Sequence, residues 1–242
     1  MKKCRLSQEC LKIFACVTML LDHIGAVSLL GQFGWLPASF IWDANMMLRM
    51  IGRLAFPIYC FLLAEGAYHT RNRKEYAGRL FVGLLLSEIP FDLLFYGGIT
   101  FAHQSVMVTL LLGYFYAVVM NNIPVQGYRI LLLAPFAMLA EILHADYGGW
   151  GVAMIGLFVI TREAPHKFWV QALCLGMIAW MIGGMSVAIG PVAAPIQLFS
   201  VAAMIPIALY DGRKRTNNIW VRRGFYLFYP VHLVVLYMIV RL

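Results

Sequence analysis

Long apolar runs dominate the chain, and short polar stretches separate them. Nine runs read as helical spans, at residues 11–30, 46–67, 78–96, 104–120, 129–143, 148–161, 168–185, 195–210 and 225–241. About 20 apolar residues at helical rise cross a hydrocarbon core. The sixth run is short, and a span there is expected to tilt little or to thin the bilayer locally. Lysine and arginine follow an alternating rule. They occupy the stretch before the first run and the loops between the second and third, fourth and fifth, sixth and seventh, and eighth and ninth. The intervening loops, 31–43, 97–103, 144–147 and 186–194, hold none. The positive-inside rule then places the N-terminus in the cytoplasm and the C-terminus outside.

The predicted architecture is an all-α, polytopic membrane helical bundle of about nine transmembrane helices, forming a single domain over residues 1–242 with no internal repeat or linker. Pro57, Pro90, Pro135, Pro206 and Pro230 fall within or at spans. Each removes a backbone donor and favours a kinked, cavity-lining position. Asn121 to Gln126 and Thr216 to Asn218 read as turns.

Composition sharpens this picture. The chain is 62% hydrophobic and 12% charged, with a mean hydropathy of +0.78, which leaves no room for a separate soluble domain. The formal net charge of +8 does not point to nucleic acid, because the cations gather in short loops between spans. Of the cysteines Cys4, Cys10, Cys16, Cys60 and Cys174, no two form a CxxC pair, so neither a disulfide framework nor a metal site is expected. The opening MKKCRL before an apolar run looks like a signal peptide. The run carries Asp22-His23 and lacks a small-residue cleavage site, so it reads as a retained first span.

The ionisable residues inside the spans are the candidate chemistry. Insertion of an Asp at mid-helix costs about 2.5–3.5 kcal/mol, and such groups mark sites by default. In LKIFACVTMLLDHIG, Lys12 and His23 are eleven residues apart, three turns plus roughly 20°, so they share a face about 16 Å apart. A cation at the membrane edge and an imidazole deep below it form one stripe. A neutral imidazole in a dry cavity can act as a general base. Asp22, adjacent on the helix, faces elsewhere and serves another partner. Arg49 and Arg53 share a face of the second span, with Glu65 close to it further along. Glu88 and Asp92 flank Pro90 in SEIPFD. These two arginines and two acids lie at similar depth and are expected to pair in a polar cavity. His69 and the basic loop Arg71, Arg73 and Lys74 follow Glu65; the loop reads most simply as an orientation signal, with a grip for phosphates as the alternative. His232 is a further candidate cavity residue, in FYPVHL. Glu141, His144 and Asp146, at the outer end of the fifth span, are placed to meet an external substrate, but exposed loop polarity is the simpler reading. There is no HExxH spacing, Walker loop, Rossmann glycine pattern or GxSxG elbow.

The stretches LKIFACVTMLLDHIGAV, LRMIGRLAFPIYCFLLAEGAYHTRNRKEYAGRL, LLSEIPFDLLFYG and RRGFYLFYPVHL resemble the TraX family, with YGGWGV a further shared signature. The resemblance covers the first hundred residues closely and the last twenty clearly; between them it is mainly one of hydrophobic pattern. That family in turn looks like a compact relative of acyltransferase-3 type membrane acyltransferases. Those proteins place a basic residue eleven positions before a histidine in the first span, as Lys12 and His23 stand here, and carry a late Tyr-Pro-x-His similar to Tyr229-Pro230-Val231-His232. Lysine in place of the usual arginine keeps the charge but loses bidentate phosphate recognition.

The resemblance implies a bacterial cytoplasmic-membrane acyltransferase. It would move an acetyl or other acyl group from cytoplasmic acyl-CoA to an amine or hydroxyl of a pilin or other peptide, a glycan or a lipid. In that reading His23 is the base, assisted by Asp22. Lys12, Arg71, Arg73 and Lys74 hold the coenzyme. Arg49, Arg53, Glu65, His69, Glu88, Asp92 and His232 line the substrate and oxyanion cavity, and no metal is required. Two other classes compete: a transporter or channel with an intramembrane charge network, and a non-enzymatic assembly factor for a surface polymer or pilus.

Overall fold

A computed structural model describes residues 5–28, 37–189, 192–216 and 218–241. Lys2, Lys3 and Cys4, the last two residues of the first predicted span and Asn217 of the second predicted turn lie outside the described residues. The fold is helical almost throughout. Helix α1 spans Gln8–Ala26, α2 Ala38–Gly52, α3 Ala55–His69, α4 Arg73–Phe95 and α5 Val106–Met120. Short helices α6 (Gln126–Leu131) and α7 (Leu133–Ile142) precede α8 (Gly148–Ile160) and α9 (Lys167–Ile182). Strands β1 (Ser186–Ile189) and β2 (Val192–Pro195) form an antiparallel hairpin with Ser186 opposite Pro195. A 3-10 turn over Ile196–Ala203 leads into α10 (Met204–Ala208), and α11 spans Ile219–Arg241.

The boundaries follow local chemistry. Ser7 caps α1 by accepting from the Cys10 N–H at 3.3 Å, and Asn72 caps α4 by accepting from the Glu75 N–H at 3.1 Å. The cap at Asn72 starts α4 earlier than the apolar run does. The predicted fifth span is instead two helices that break at Leu132, because Pro135 cannot donate to the carbonyl of Leu131. Residues 38–43, expected in a loop, are helical. The segment Ala38–His69 is 32 helical residues long, interrupted only around Arg53 and Leu54. Most of the loop expected at 186–194 forms the two strands of the hairpin, whose backbone groups pair with one another away from water.

Among the described residues, two helical segments are long and apolar enough to cross a membrane, Ala38–His69 and Ile219–Arg241. A belt of large apolar side chains also lies exposed: Phe81, Leu85 and Ile89 on α4, Leu173, Met177 and Trp180 on α9, and Val231, Val235 and Met238 on α11. A water-soluble monomer does not carry such a surface. The chain is an all-α membrane protein.

Helices α1 and α11 run parallel: Lys12 lies 5.4 Å from the Phe225 ring at one end, and His23 meets His232 further along. Helix α2 crosses the C-terminal part of α1 in the opposite direction. Gly52 makes this possible, since a Cβ there would overlap the Asp22 side chain, and a Cβ at Gly25 would come within 2.8 Å of the Asn45 carbonyl. The charged loops gather at the end marked by the start of α1. There Leu6 pairs with Tyr210, Arg73 reaches Asn122, and Arg162 reaches Glu65. The end marked by Tyr96, Gln104, Ala145 and Met185 is tied by backbone bonds such as Gln104 N–H to the His144 carbonyl, 3.0 Å.

Candidate functional site

A cavity of about 790 Å³ opens between α1, α2, α3, α4 and α11. Gln8, Lys12, Tyr76 and Phe225 line its basic end; His23, Arg49, Arg53, Asp146 and Gln197 line the other. Lys12 and His23, placed on one stripe by spacing, do face one space.

His23 sits in this cavity with its ring held on three sides. Phe95 meets it edge-on at 5.5 Å, Tyr229 lies at 6.2 Å, and the His232 ring lies within 8° of parallel. His23 Nδ1 is 2.7 Å from His232 Nε2, and His232 Nδ1 is 2.8 Å from the Phe228 carbonyl oxygen. Hydrogen-bond logic assigns the protons. The carbonyl only accepts, so His232 Nδ1 carries a proton and its Nε2 is an acceptor. The neutral His23 therefore donates through Nδ1, and its Nε2 keeps a lone pair. The element that supplies His232 is the turn after Pro230 in α11, and His232 itself is 6% exposed.

Asp22 faces away from that pair. One carboxylate oxygen accepts from Arg49 at 2.7 Å and the other from Arg53. Arg53 stands at the break between α2 and α3. It also donates to Gln197 Oε1 at 3.2 Å, to the Tyr147 hydroxyl at 3.4 Å, and through Nε to the Arg49 carbonyl at 3.3 Å. Tyr147 is in turn stacked on Phe56 at 4.0 Å. This cluster corrects the expected pairing of Arg49 and Arg53 with Glu88 and Asp92. Those acids serve the chain's loops instead. Glu88 accepts from the Ser105 N–H and hydroxyl at the start of α5, the latter at 2.6 Å, and Asp92 accepts from the Thr100 N–H at 2.9 Å. Neither lines the cavity. Similar depth in adjacent helices does not bring side chains together; the close crossing at Gly52 does.

Other expected site residues lie apart. Glu65 binds Arg162 at 3.4 Å and His69 at 3.5 Å at the basic end, outside the cavity. Arg71 and Lys74 are exposed, and Arg73 donates to Asn122 at 3.3 Å. His232 does not line the cavity; it touches His23 and Tyr229, which do. Three residues not singled out beforehand, Tyr147, Gln197 and Tyr59, line the space, as does Asp146, which had been read as loop polarity. Tyr147 and Gly148 open YGGWGV, where Gly148 has a φ of +49° beside the Glu141 carboxylate; that motif was the available signal. Gln197 gave none. Among the described residues, no three His, Cys, Asp or Glu side chains converge as metal ligands.

Outside the spans, Glu9 joins the loop before α11 to the start of α1. Its carboxylate accepts from the N–H groups of Arg215 and Thr216 at 3.1 Å. Partial burial pushes its pKa up, but these backbone donors outweigh that and hold it below the ordinary value.

Comparison with known proteins supplies the context for this geometry. A family profile described as "TraX protein" matches residues 7–240. A protein described as "Probable fimbrial assembly protein FimC, serogroup H1", from Dichelobacter nodosus, is 28% identical over 93% of this chain and 92% of its own length. No solved structure matches.

Proposed function

The chain belongs to the TraX family, and from that premise we propose that it is an integral-membrane acyltransferase with a pilus-related role. Its donor is acetyl-CoA or another acyl-CoA from the cytoplasm. Its acceptor is an amine or hydroxyl of a pilin, peptide, glycan or lipid at the membrane or beyond it. The relative named as a probable fimbrial assembly protein supports the pilus setting. The lysine–histidine spacing and Tyr229-Pro230-Val231-His232 support kinship with acyltransferase-3 type enzymes. In this reading the protein is multi-pass in a bacterial cytoplasmic membrane, with nine spans, the N-terminus inside and the C-terminus outside. The parallel course of α1 and α11 and the gathering of basic loops at one end support that orientation.

The observation that carries the reading is the histidine pair at the cavity wall. His23 Nδ1 is committed to His232, which leaves Nε2 to take a proton. In the proposed step, Nε2 removes the proton from the acceptor nitrogen or oxygen. The acceptor attacks the thioester carbonyl, the C–S bond breaks, and the departing thiolate takes the proton from Nε2. The imidazolium formed in between is steadied by the His232 acceptor. Arg49 and Arg53 supply N–H donors for the oxyanion. Asp22 is a positioning residue: it holds the arginines, and it does not orient His23.

The test is coenzyme A release and label transfer from radiolabelled acetyl-CoA by the protein in nanodiscs, with membrane fractions as acceptor. Label is expected in a membrane-associated product. A folded protein that binds no acyl-CoA, or that conducts protons without transferring label, overturns the reading in favour of transport.

A further inference from the structure

Helices α3 and α4 follow one another in the chain, but they do not pack closely against each other. Helix α5 packs on both, and it packs closely on neither α1 nor α11. Yet Val106, Met107 and Leu110 of α5 line the cavity. The cavity therefore sends a branch between α3 and α4, and α5 forms its floor. Leu62 and Leu63 of α3, Leu80 of α4, and Met107 and Leu110 of α5 wall this branch. All five are buried, and none carries a nitrogen or oxygen in its side chain. Gly83 gives the Met107 side chain its place: a Cβ there would come within 2.8 Å of the Met107 terminal methyl. The branch meets the reaction centre at Phe91 and Phe95. The two rings lie 5.1 Å apart, and Phe95 meets the His23 ring edge-on.

Protein interiors are packed like organic crystals, so a retained apolar space forgoes dispersion contacts unless a ligand supplies them. Water finds no partners in such a space. The two amides of a pantetheine arm would lose their hydrogen bonds there. An aliphatic chain has no such bonds to lose. Three directions lead away from His23: towards the basic end, towards Arg49, Arg53 and Asp146, and into this branch. The donor enters from the first and the acceptor from the second, which leaves the third for the group being moved. We propose that the branch between α3 and α4 is an acyl pocket, and that the donor carries a medium-length aliphatic acyl group rather than acetyl. The proposal rests on the acyl-CoA reading and names the group that is transferred. The chemistry at His23 is unchanged: the C–S bond breaks, the longer acyl group joins the acceptor nitrogen or oxygen, and the thiolate takes the proton from Nε2.

The full chain in phosphatidylcholine nanodiscs is given acetyl-, butyryl-, hexanoyl- and octanoyl-CoA in turn, and coenzyme A release is followed with membrane fractions as acceptor. In wild type, kcat/KM is expected to rise about fourfold per added methylene until the pocket is full. Leu110→Phe fills the branch and should lower the hexanoyl-to-acetyl ratio of kcat/KM about tenfold or more. Met107→Ala enlarges the branch and should move the optimum to a longer chain, so the two variants shift the profile in opposite directions. A wild type that prefers acetyl-CoA overturns the acyl pocket and leaves the acyltransferase reading standing. So does a chain-length profile that neither variant shifts. A folded wild type that turns over none of the four donors overturns both.

Discussion

Asp22 and His23 are neighbours in the chain but belong to two unlike regions. The Asp22 region is a charged network: one carboxylate, two arginines, and further bonds to Gln197, Tyr147 and a helix carbonyl. The His23 region is uncharged as assigned, and among the described residues one His23 ring nitrogen has no hydrogen-bond partner. The arginine network fixes helices relative to one another. A pair with an unengaged lone pair can exchange a proton. Helical geometry produces the division, because consecutive residues point about 100° apart and so reach different neighbours.

The comparison breaks most sharply at Asp22. Asp22→Asn leaves a buried and a half-buried guanidinium group without their counter-charge, a loss of about 3–5 kcal/mol for a buried pair broken on one side. We expect little folded protein, read as loss of a monodisperse peak and a lowered melting temperature in detergent. Gly52→Ala should do similar damage by forcing α1 and α2 apart while leaving every charge in place; a fully stable Gly52→Ala protein would show that the close crossing is not what sets the cluster. His232→Phe should instead leave the fold intact and lower kcat by roughly ten- to a hundredfold with the donor KM unchanged, since it removes only the acceptor that fixes the His23 tautomer. His232→Gln, whose amide oxygen can accept, should recover part of that loss. If the two variants were equally active, the tautomer assignment would fail.

The smallest effect is expected at Glu9. Its folded pKa lies below the ordinary carboxylate value. Its contribution to stability is therefore fully present above that ordinary value and is lost as pH falls through the lowered folded pKa. The protection factors of the Arg215 and Thr216 amides, exchange corrected for its intrinsic pH dependence, should fall on acidification in wild type. In Glu9→Gln they should be low at all pH values.

Much of this was legible beforehand. Hydropathy marked the helices, and the Lys12–His23 step placed both residues on one cavity wall. The first hundred and last twenty residues carried the family likeness, and they contain both histidines of the pair. The arginine partners were not legible. Glu88 and Asp92 had the same charge and depth as Asp22, and only the α1–α2 crossing distinguishes them; Gly52, one residue before Arg53, was the clue. Gln197 comes from a 3-10 turn after a hairpin, where no periodic pattern announces which side chain turns inward.

The central claim is that His23 Nε2 is the base. The most direct test is acetyl-CoA binding and turnover measured side by side for wild type and His23→Ala in nanodiscs. The account predicts equal binding, with turnover reduced by about 10²–10⁴-fold in the variant. A folded His23→Ala protein that binds donor and turns over at the wild-type rate would contradict it.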